Sequence, residues 1–280
     1  MPGGVRPPAC VRIAQVESAI EKHGRAGEGR QGIDIDEGGE GHRSSLSRCR
    51  RDRIRYNRTM ALTFYWGSGS PYSWRVHLAL EHKQLSYESH LLHFDKQEHQ
   101  SPQMLKMNPR GRLPVLKDGD YVVFESVAIL YYLDLKYPQK PIFGLNPEEA
   151  GVIMRVICEF QAYAEPSVAK IVEAIFSDSV AEDIDGLTDA MHVVAREART
   201  IEGRLSKEQW IVGANYSALD MVIFPWLQVL RRALDRDPAA ELGARFLPME
   251  RNYPALARWL HRIESLPGYA RTYPPHWRDP

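Results

Sequence analysis

The chain has 280 residues, 36 basic and 36 acidic side chains and an apolar fraction of 44%, which is ample for one large domain or two modest ones. The formal net charge of zero gives no reason to expect nucleic acid or an anionic membrane as a partner. No apolar run approaches the roughly 20 residues that span a bilayer.

The cysteines, Cys10, Cys49 and Cys158, show no CxxC spacing and no pairing pattern. A disulfide framework or a structural zinc site needs more of them, closer together. We expect Cys158, in a helical run, to be a small buried apolar side chain. The composition suits a reducing, cytoplasmic location and predicts no metal site.

Residues 1–59 differ in composition from the rest of the chain. They are rich in Gly and Arg, and the tract from Arg43 to Arg58 holds seven arginines and one acidic residue. Their helix and strand periodicity is weak, so we predict no packed fold there. A mitochondrial presequence is Arg-rich but acid-poor, whereas this stretch carries eight Asp and Glu. We expect a disordered extension or an early-assigned start, with Met60 the working start, and keep a targeting arm as the alternative.

From residue 60 to residue 137 the pattern predicts a small α/β domain. Short apolar and aromatic runs indicate strands, Asp118-Gly119-Asp120 is a strong hairpin signal, and Pro71 suits the first position of a helix. The predicted order is β-α-β-α-β-β-α, with strands at 61–66, 85–94, 114–117 and 121–124 and helices at 71–83, 102–107 and 125–135.

Residues 138–146 carry a Pro- and Gly-rich linker signal, and residues 147–280 are almost entirely helical in period. Ser217 and Asp220 form a predicted capping box, with Tyr216 and Met221 spaced as its hydrophobic staple. The predicted all-α domain has helices at 147–176, 181–205, 218–234 and 254–265, followed by an irregular tail.

Ser70 and Pro71 stand at the first strand-to-helix turn. A helix N-terminus carries about half a positive charge and favours an anion, so a thiolate held there would have its pKa lowered from about 8.5. A hydroxyl that donates a hydrogen bond to the sulfur adds to this effect, and Ser70 is placed for that role. Ser before Pro is also an ordinary helix cap, so both interpretations stay open. Tyr65, Ser68 and Tyr72 are the alternative hydroxyls.

Two later dipeptides, Leu113-Pro114 and Glu125-Ser126, could bind the rest of a ligand whose thiolate lies at this turn, namely a small thiol peptide with carboxylates at its ends. A cis bond before Pro114 would aim the Leu113 backbone at a ligand, although only about 5% of X-Pro bonds are cis. Ser126 at a helix start can bind a carboxylate, and Glu125 can hold an ammonium. A helix cap with an acid in its first turn is the alternative for this pair.

In order and spacing, these segments resemble the glutathione transferase family over about residues 61–270. The turn from Ser70 to Val76 is closest to the zeta-class pattern, in which a serine precedes a Ser-Trp-Arg-Val run. Tyr72 replaces the cysteine of that pattern and Pro71 replaces a serine, so the turn is equally similar to the broader set of bacterial transferases. We therefore do not assign the zeta isomerase reaction. Omega-like members carry a cysteine where Ser70 stands and favour thiol exchange.

The resemblance implies a thioredoxin-like α/β domain followed by an all-α domain, with glutathione as co-substrate and a homodimer as the assembly. It implies that Ser70 donates a hydrogen bond to the glutathione sulfur and that the Leu113 backbone, before Pro114, pairs with the cysteinyl part. The remaining implied glutathione contacts are Glu125 and Ser126 at the γ-glutamyl end, and His99 and Arg112 near the glycine carboxylate.

The predicted function is therefore a transferase that lowers the thiol pKa of glutathione, whose sulfur attacks a small electrophile held partly by the helical domain. No metal or redox cofactor is implied. The alternative is a binding or scaffold module of the same fold with negligible turnover, since fold alone does not fix function. A glutathione-dependent isomerase, dehalogenase or peroxidase would share the thiol site. The electrophile is not identified by the sequence.

Overall fold

A computed structural model of the chain describes residues 62–236, 240–243 and 246–278. The expectations for residues 1–59 lie outside the described residues. Four strands form one sheet in the order β2-β1-β3-β4, in which β2 is parallel to β1, and β3 is antiparallel to both β1 and β4. The strands are β1 (Leu62–Trp66), β2 (Tyr87–Leu91), β3 (Val115–Asp118) and β4 (Tyr121–Phe124).

Helices cover both faces of this sheet. The helices of the first part are α1 (Pro71–His82), α2 (Pro102–Met107) and α3 (Ser126–Lys136). Leu62 and Phe64 on one face of β1 belong to the same buried core as α1 and α3. Tyr65, on the opposite face, packs in a second core with Met104 of α2 and Val115, as the side-chain alternation of a strand requires. This arrangement confirms the predicted thioredoxin-like fold.

The rest of the described chain is helical, which confirms the predicted all-α part of the fold. Its helices are α4 (Pro147–Glu159), α5 (Glu165–Phe176), α6 (Ile184–Leu205), α7 (Ala218–Leu234), α8 (Ala240–Gly243), α9 (Met249–Asn252), α10 (Pro254–Glu264) and α11 (Tyr269–Thr272). Helix α7 is buried along most of its length and packs on both α1 and α5. It therefore joins the sheet domain to the helices behind it.

Two expectations for the first helices of this part are wrong in detail. The helix predicted at 147–176 contains a π-helical turn, Phe160–Ala164, between α4 and α5. Such turns occur frequently at functional sites. Cys158, expected to be buried, is exposed, because it lies on the outer face of α4 while Val156 and Ile157 face the core.

The capping box at the start of α7 is present. Asp220 is fully buried and accepts hydrogen bonds from the Ser217 backbone N–H at 2.9 Å and from its hydroxyl at 2.8 Å. The same carboxylate accepts the Trp259 indole N–H at 2.8 Å and the Ile211 backbone N–H at 3.2 Å. The box therefore fixes α7 to α10 as well as starting the helix.

Candidate active site

The sheet register brings the three predicted segments to one edge of the sheet. Tyr65 near the end of β1 pairs with Val115 at the start of β3, and Val115 pairs with Phe124 at the end of β4. The turn after β1, the step before β3 and the step after β4 are therefore neighbours. A cleft of about 730 Å³ opens at this edge. All seven predicted site residues line it: Ser70, His99, Arg112, Leu113, Pro114, Glu125 and Ser126.

Ser70 is the N-cap of α1. Its Oγ accepts the backbone N–H of Ser73 at 3.3 Å, and its carbonyl accepts the first helical hydrogen bond from Trp74 at 3.0 Å. Pro71 occupies the first helical position, and the first turn of α1 has no acidic residue. The N-terminal partial positive charge of α1 is therefore not offset by an acid within that turn. Because the Oγ acts only as an acceptor in the cap, its own proton can be donated into the cleft.

The step from β4 to α3 is unusual in backbone geometry. Glu125 has φ 67° and ψ 112°, a region that costs a non-glycine residue on the order of 1–3 kcal/mol and that clusters at functional sites. This conformation leaves the Glu125 side chain exposed beside the cleft, while Ser126 is buried at the start of α3. The N-terminus of α3 and the acidic side chain of Glu125 are therefore adjacent, an arrangement that can bind the carboxylate and the ammonium group of an amino acid.

The loop before β3 is organised by Asn108, which is buried. Its side-chain amide donates to the Arg112 carbonyl at 2.9 Å, and its Oδ1 accepts the Arg110 backbone N–H at 3.1 Å. Gly111 has φ 56°, and a Cβ there would lie 2.5 Å from the Gln100 side chain, so glycine is needed at this position. The loop holds both arginines exposed at the cleft, and neither guanidinium has an ion-pair partner among the described residues.

The Leu113–Pro114 peptide bond is cis. Both residues are buried and line the cleft. Across the cleft wall His99 contacts Phe94 edge to face, with ring centroids 5.2 Å apart. The Nδ1 atom of His99 is buried and has no hydrogen-bond partner within the described part of the chain. Buried polar atoms are almost always paired, and because His99 lines the cleft, this nitrogen is available for a hydrogen bond with a group bound there.

Sequence reasoning missed a polar cluster beside the cleft, in which the buried Arg75 and Glu165 contact the exposed Tyr72. The Arg75 guanidinium donates to Glu165 Oε2 at 2.5 Å, and the Tyr72 hydroxyl donates to Glu165 Oε1 at 2.8 Å. Arg75 also donates to the Ser126 hydroxyl oxygen at 3.3 Å and lies 4.9 Å from the centre of the Tyr72 ring. Arg75, a charged residue on the apolar face of α1, was the one signal of this cluster in the sequence. Its partner Glu165 could not be predicted because it lies 90 residues away.

The alternative hydroxyls are less well placed than that of Ser70. Burial, followed by the negative charge of Glu165, raises the pKa of Tyr72 to about 12, and the Tyr72 proton is already donated to Glu165. Ser68 is hydrogen-bonded to a histidine ring at 2.6 Å, and Tyr65 stacks on His90, with centroids 4.9 Å apart. Neither Ser68 nor Tyr65 lines the cleft, so Ser70 is the one of these four hydroxyls that can offer its proton to a ligand there.

The described residues contain no group of three or more His, Cys, Asp or Glu side chains that could hold a metal ion. In the same part of the chain, no helix has the length and apolar character needed to cross a membrane.

Comparison with known proteins agrees with this architecture. A family model described as glutathione S-transferase, N-terminal domain, matches residues 60–135, and one described as glutathione S-transferase, C-terminal domain, matches residues 170–267. Glutathione S-transferase A of Pleuronectes platessa is 30% identical over 224 residues, which are 78% of this chain and 93% of that protein. Maleylacetoacetate isomerase of Pseudomonas aeruginosa is 30% identical over 210 residues, 70% of this chain and 96% of that protein.

A solved structure shows the same fold. Glutathione transferase URE2P6 from Phanerochaete chrysosporium, crystallised in complex with oxidized glutathione, superposes with a TM-score of 0.63 at 29% identity, covering 79% of this chain and 96% of that one. The mixed sheet, the following helices and the cleft at the sheet edge thus define a glutathione transferase fold. The chain belongs to the glutathione S-transferase family.

Proposed function

We propose that this chain is a glutathione transferase in which Ser70 stabilises the thiolate of bound glutathione. The observation that carries the proposal is the position of Ser70. Its Oγ caps α1 as an acceptor from Ser73 and lines the cleft, so the hydroxyl proton is free to be donated to a ligand. A sulfur placed there meets both this donor and the positive end of α1, and both lower its pKa.

The charges around the cleft fit glutathione, which carries two carboxylates and one ammonium group. Arg112 and His99 offer partners for the glycine carboxylate, and Arg110 lines the same wall. At the other step, Ser126 offers its hydroxyl and a helix N-terminus to the γ-glutamyl carboxylate, and Glu125 balances the ammonium. The transferase of Phanerochaete chrysosporium, solved with oxidized glutathione, supports this choice of ligand.

The reaction follows from the thiolate. Glutathione loses its thiol proton to solvent, the sulfur forms a bond to an electrophilic carbon, and the leaving group departs with its electron pair. The protein contributes position and electrostatic stabilisation rather than a covalent intermediate. Tyr72 and Gln161 line the same cleft from α1 and the π-helical turn, so they can contact an electrophile that enters from the helical side.

A scaffold of the same fold would keep the cleft without turnover. The test uses the full chain with a panel of an aryl halide, an organic hydroperoxide and maleylacetoacetate, each assayed with glutathione. We expect turnover of at least one compound and a loss of about 10²- to 10³-fold in kcat for Ser70→Ala, as for removal of one oriented donor. Glutathione binding without turnover in the wild type would favour the scaffold.

Apolar side chains on α3 support a homodimer. Tyr131 and Leu135 are 49% and 67% exposed, and because they are four residues apart they lie on one face of the helix. Leu145, in the following linker, is 70% exposed. An exposed apolar group of this kind is typical of a surface that meets a partner.

A further inference from the structure

Residues 269–278 fold back onto α1. The Trp74 ring on α1 is surrounded by Tyr269, Tyr273 and Trp277, with centroid distances of 6.4, 6.0 and 5.4 Å. Its indole N–H donates to Thr272 Oγ1 at 2.9 Å in a buried hydrogen bond. Such aromatic contacts stabilise a packed arrangement, so this segment has a fixed position relative to the first turn of α1.

The residues before α1 form a β-turn that ends at Ser70. The Ser70 backbone N–H donates to the Gly67 carbonyl at 3.3 Å, and Gly69 has the φ of 78° that the third position of a type II turn needs. On the inner side, the Ser73 hydroxyl oxygen accepts the Gly67 backbone N–H at 3.2 Å. The beginning of the turn and the helix are therefore tied together, while the middle of the turn, Ser68 and Gly69, faces outward.

His276 covers the middle of this turn. Its Nδ1 lies 2.6 Å from the Ser68 Oγ, and its ring is so close to Gly69 that a Cβ at that position would lie 2.8 Å from the His276 Cε1. The neighbouring Trp277 is held by Arg232 of α7, whose guanidinium lies 5.0 Å from the indole centre. Neither His276 nor Ser68 lines the cleft, so neither is placed to touch glutathione.

We propose that His276 is a positioning residue that acts through Ser68 to hold the Gly67–Ser70 turn, and so to aim the Ser70 hydroxyl at the sulfur of glutathione. The inference rests on the proposed function. Only Gly69 separates Ser68 from Ser70, and a shift of the turn by a fraction of an ångström changes a hydrogen bond that depends steeply on geometry. Binding of glutathione at the Leu113-Pro114 and Glu125-Ser126 segments does not involve the contact between His276 and Ser68.

The test compares His276→Leu, His276→Asn, Ser68→Ala and the double variant His276→Leu/Ser68→Ala in the full chain. Leucine removes the ring nitrogen, whereas the asparagine amide can occupy the place of Nδ1. His276 is exposed, so these changes leave the core intact. His261→Leu is the matched control, because His261 is also exposed and its Nδ1 pairs with Glu264 at 3.0 Å rather than with the turn. The readouts are kcat, KM for glutathione and the thiol pKa of bound glutathione.

For His276→Leu we expect kcat to fall about three- to tenfold, the range of one net hydrogen bond, with a raised thiol pKa and KM for glutathione within about twofold. His276→Asn should recover most of kcat. Ser68→Ala should match His276→Leu, and the double variant should lose no more, since both changes break one contact. Unchanged kcat and thiol pKa in His276→Leu, or losses that multiply in the double variant, would overturn the inference. A wild type that does not turn over would instead contradict the proposed function.

Discussion

Arg75 joins three segments of the chain at one buried point. Its side chain is fully buried, and it donates to Glu165 after the π-helical turn, to Ser126 at the start of α3 and to the Val222 carbonyl in α7 at 3.3 Å. Burial lowers the pKa of Arg75, and the nearby carboxylate of Glu165 opposes that effect. A buried charge of this kind is tolerated only with its partner in place.

Removal of the partner should therefore be costly. We expect Glu165→Gln to lower the free energy of unfolding by about 3–5 kcal/mol, because it leaves a buried guanidinium without its counter-charge. Chemical denaturation measures the loss. The matched control is Glu159→Gln, whose partner Arg155 is 57% exposed, and which should cost less than about 1 kcal/mol. Equal losses in the free energy of unfolding for Glu165→Gln and Glu159→Gln would show that burial does not make the Arg75–Glu165 pair more costly to break.

Within helix α1, His77 shows how the packing of an element controls protonation. Its ring lies against Phe64 and Trp66 of β1, with centroids 5.5 and 5.1 Å away, and its Nε2 is 2.8 Å from the Tyr87 hydroxyl of β2. Burial lowers the pKa of His77 to about 4, against a smaller opposing effect of Glu81. Burial in this packing therefore favours the neutral imidazole.

This packing predicts a dependence of stability on pH. The folded pKa lies below the unfolded value of about 6.5, so the unfolded chain binds more protons between pH 6.5 and 4, and stability is lost as the pH falls through that window. His77→Phe should make the loss between pH 7 and 5 smaller in chemical denaturation. A residual loss should remain from His82, whose pKa is also lowered to about 4, mainly by burial. An unchanged slope in His77→Phe would contradict this explanation.

The elements that were predictable are those with local signals. Helix α2 begins at Pro102 after Ser101, and α7 begins after the Ser217–Asp220 box, because capping chemistry acts over three or four residues. The π-helical turn at Phe160–Ala164 and the short helices α9 and α11 have no such signal. They depend on contacts such as that of Tyr269 with Trp74, which join residues far apart in the chain.

Across the whole molecule, the sequence likewise predicted the site residues that depend on local signals and strand order, and not those that depend on contacts between distant parts of the chain. The positions of Ser70, Leu113 and Glu125 follow from strand order, since β1, β3 and β4 bring their ends to one edge. Glu165 and His276 reach this region from other parts of the chain, through packing that no periodicity encodes. Single-sequence reasoning therefore predicted residues that line the cleft and missed the contacts that Glu165 and His276 make beside it.

The proposed homodimer is testable on the apolar face of α3. We expect Leu135→Lys to shift the chain from dimer to monomer in sedimentation velocity, because a charge buried in an apolar interface is costly without a partner. Ile184→Lys is the matched control, since Ile184 is 44% exposed at the start of α6 and should leave the assembly unchanged. A wild type that sediments as a monomer at the same concentration would contradict the proposal.

The role proposed for Ser70 is tested most directly by the thiol pKa of bound glutathione, measured by thiolate absorbance in wild type, Ser70→Ala and Ser101→Ala. Ser101 is the matched control because it also caps a helix before a proline, with its Oγ 3.4 Å from the Met104 backbone N–H, and it does not line the cleft. We expect a pKa at least about one unit below the ordinary thiol value of about 8.5 in wild type and Ser101→Ala, and a return towards that value in Ser70→Ala. An unshifted pKa in wild type, or the same lowered pKa in Ser70→Ala, would show that Ser70 is only a helix cap.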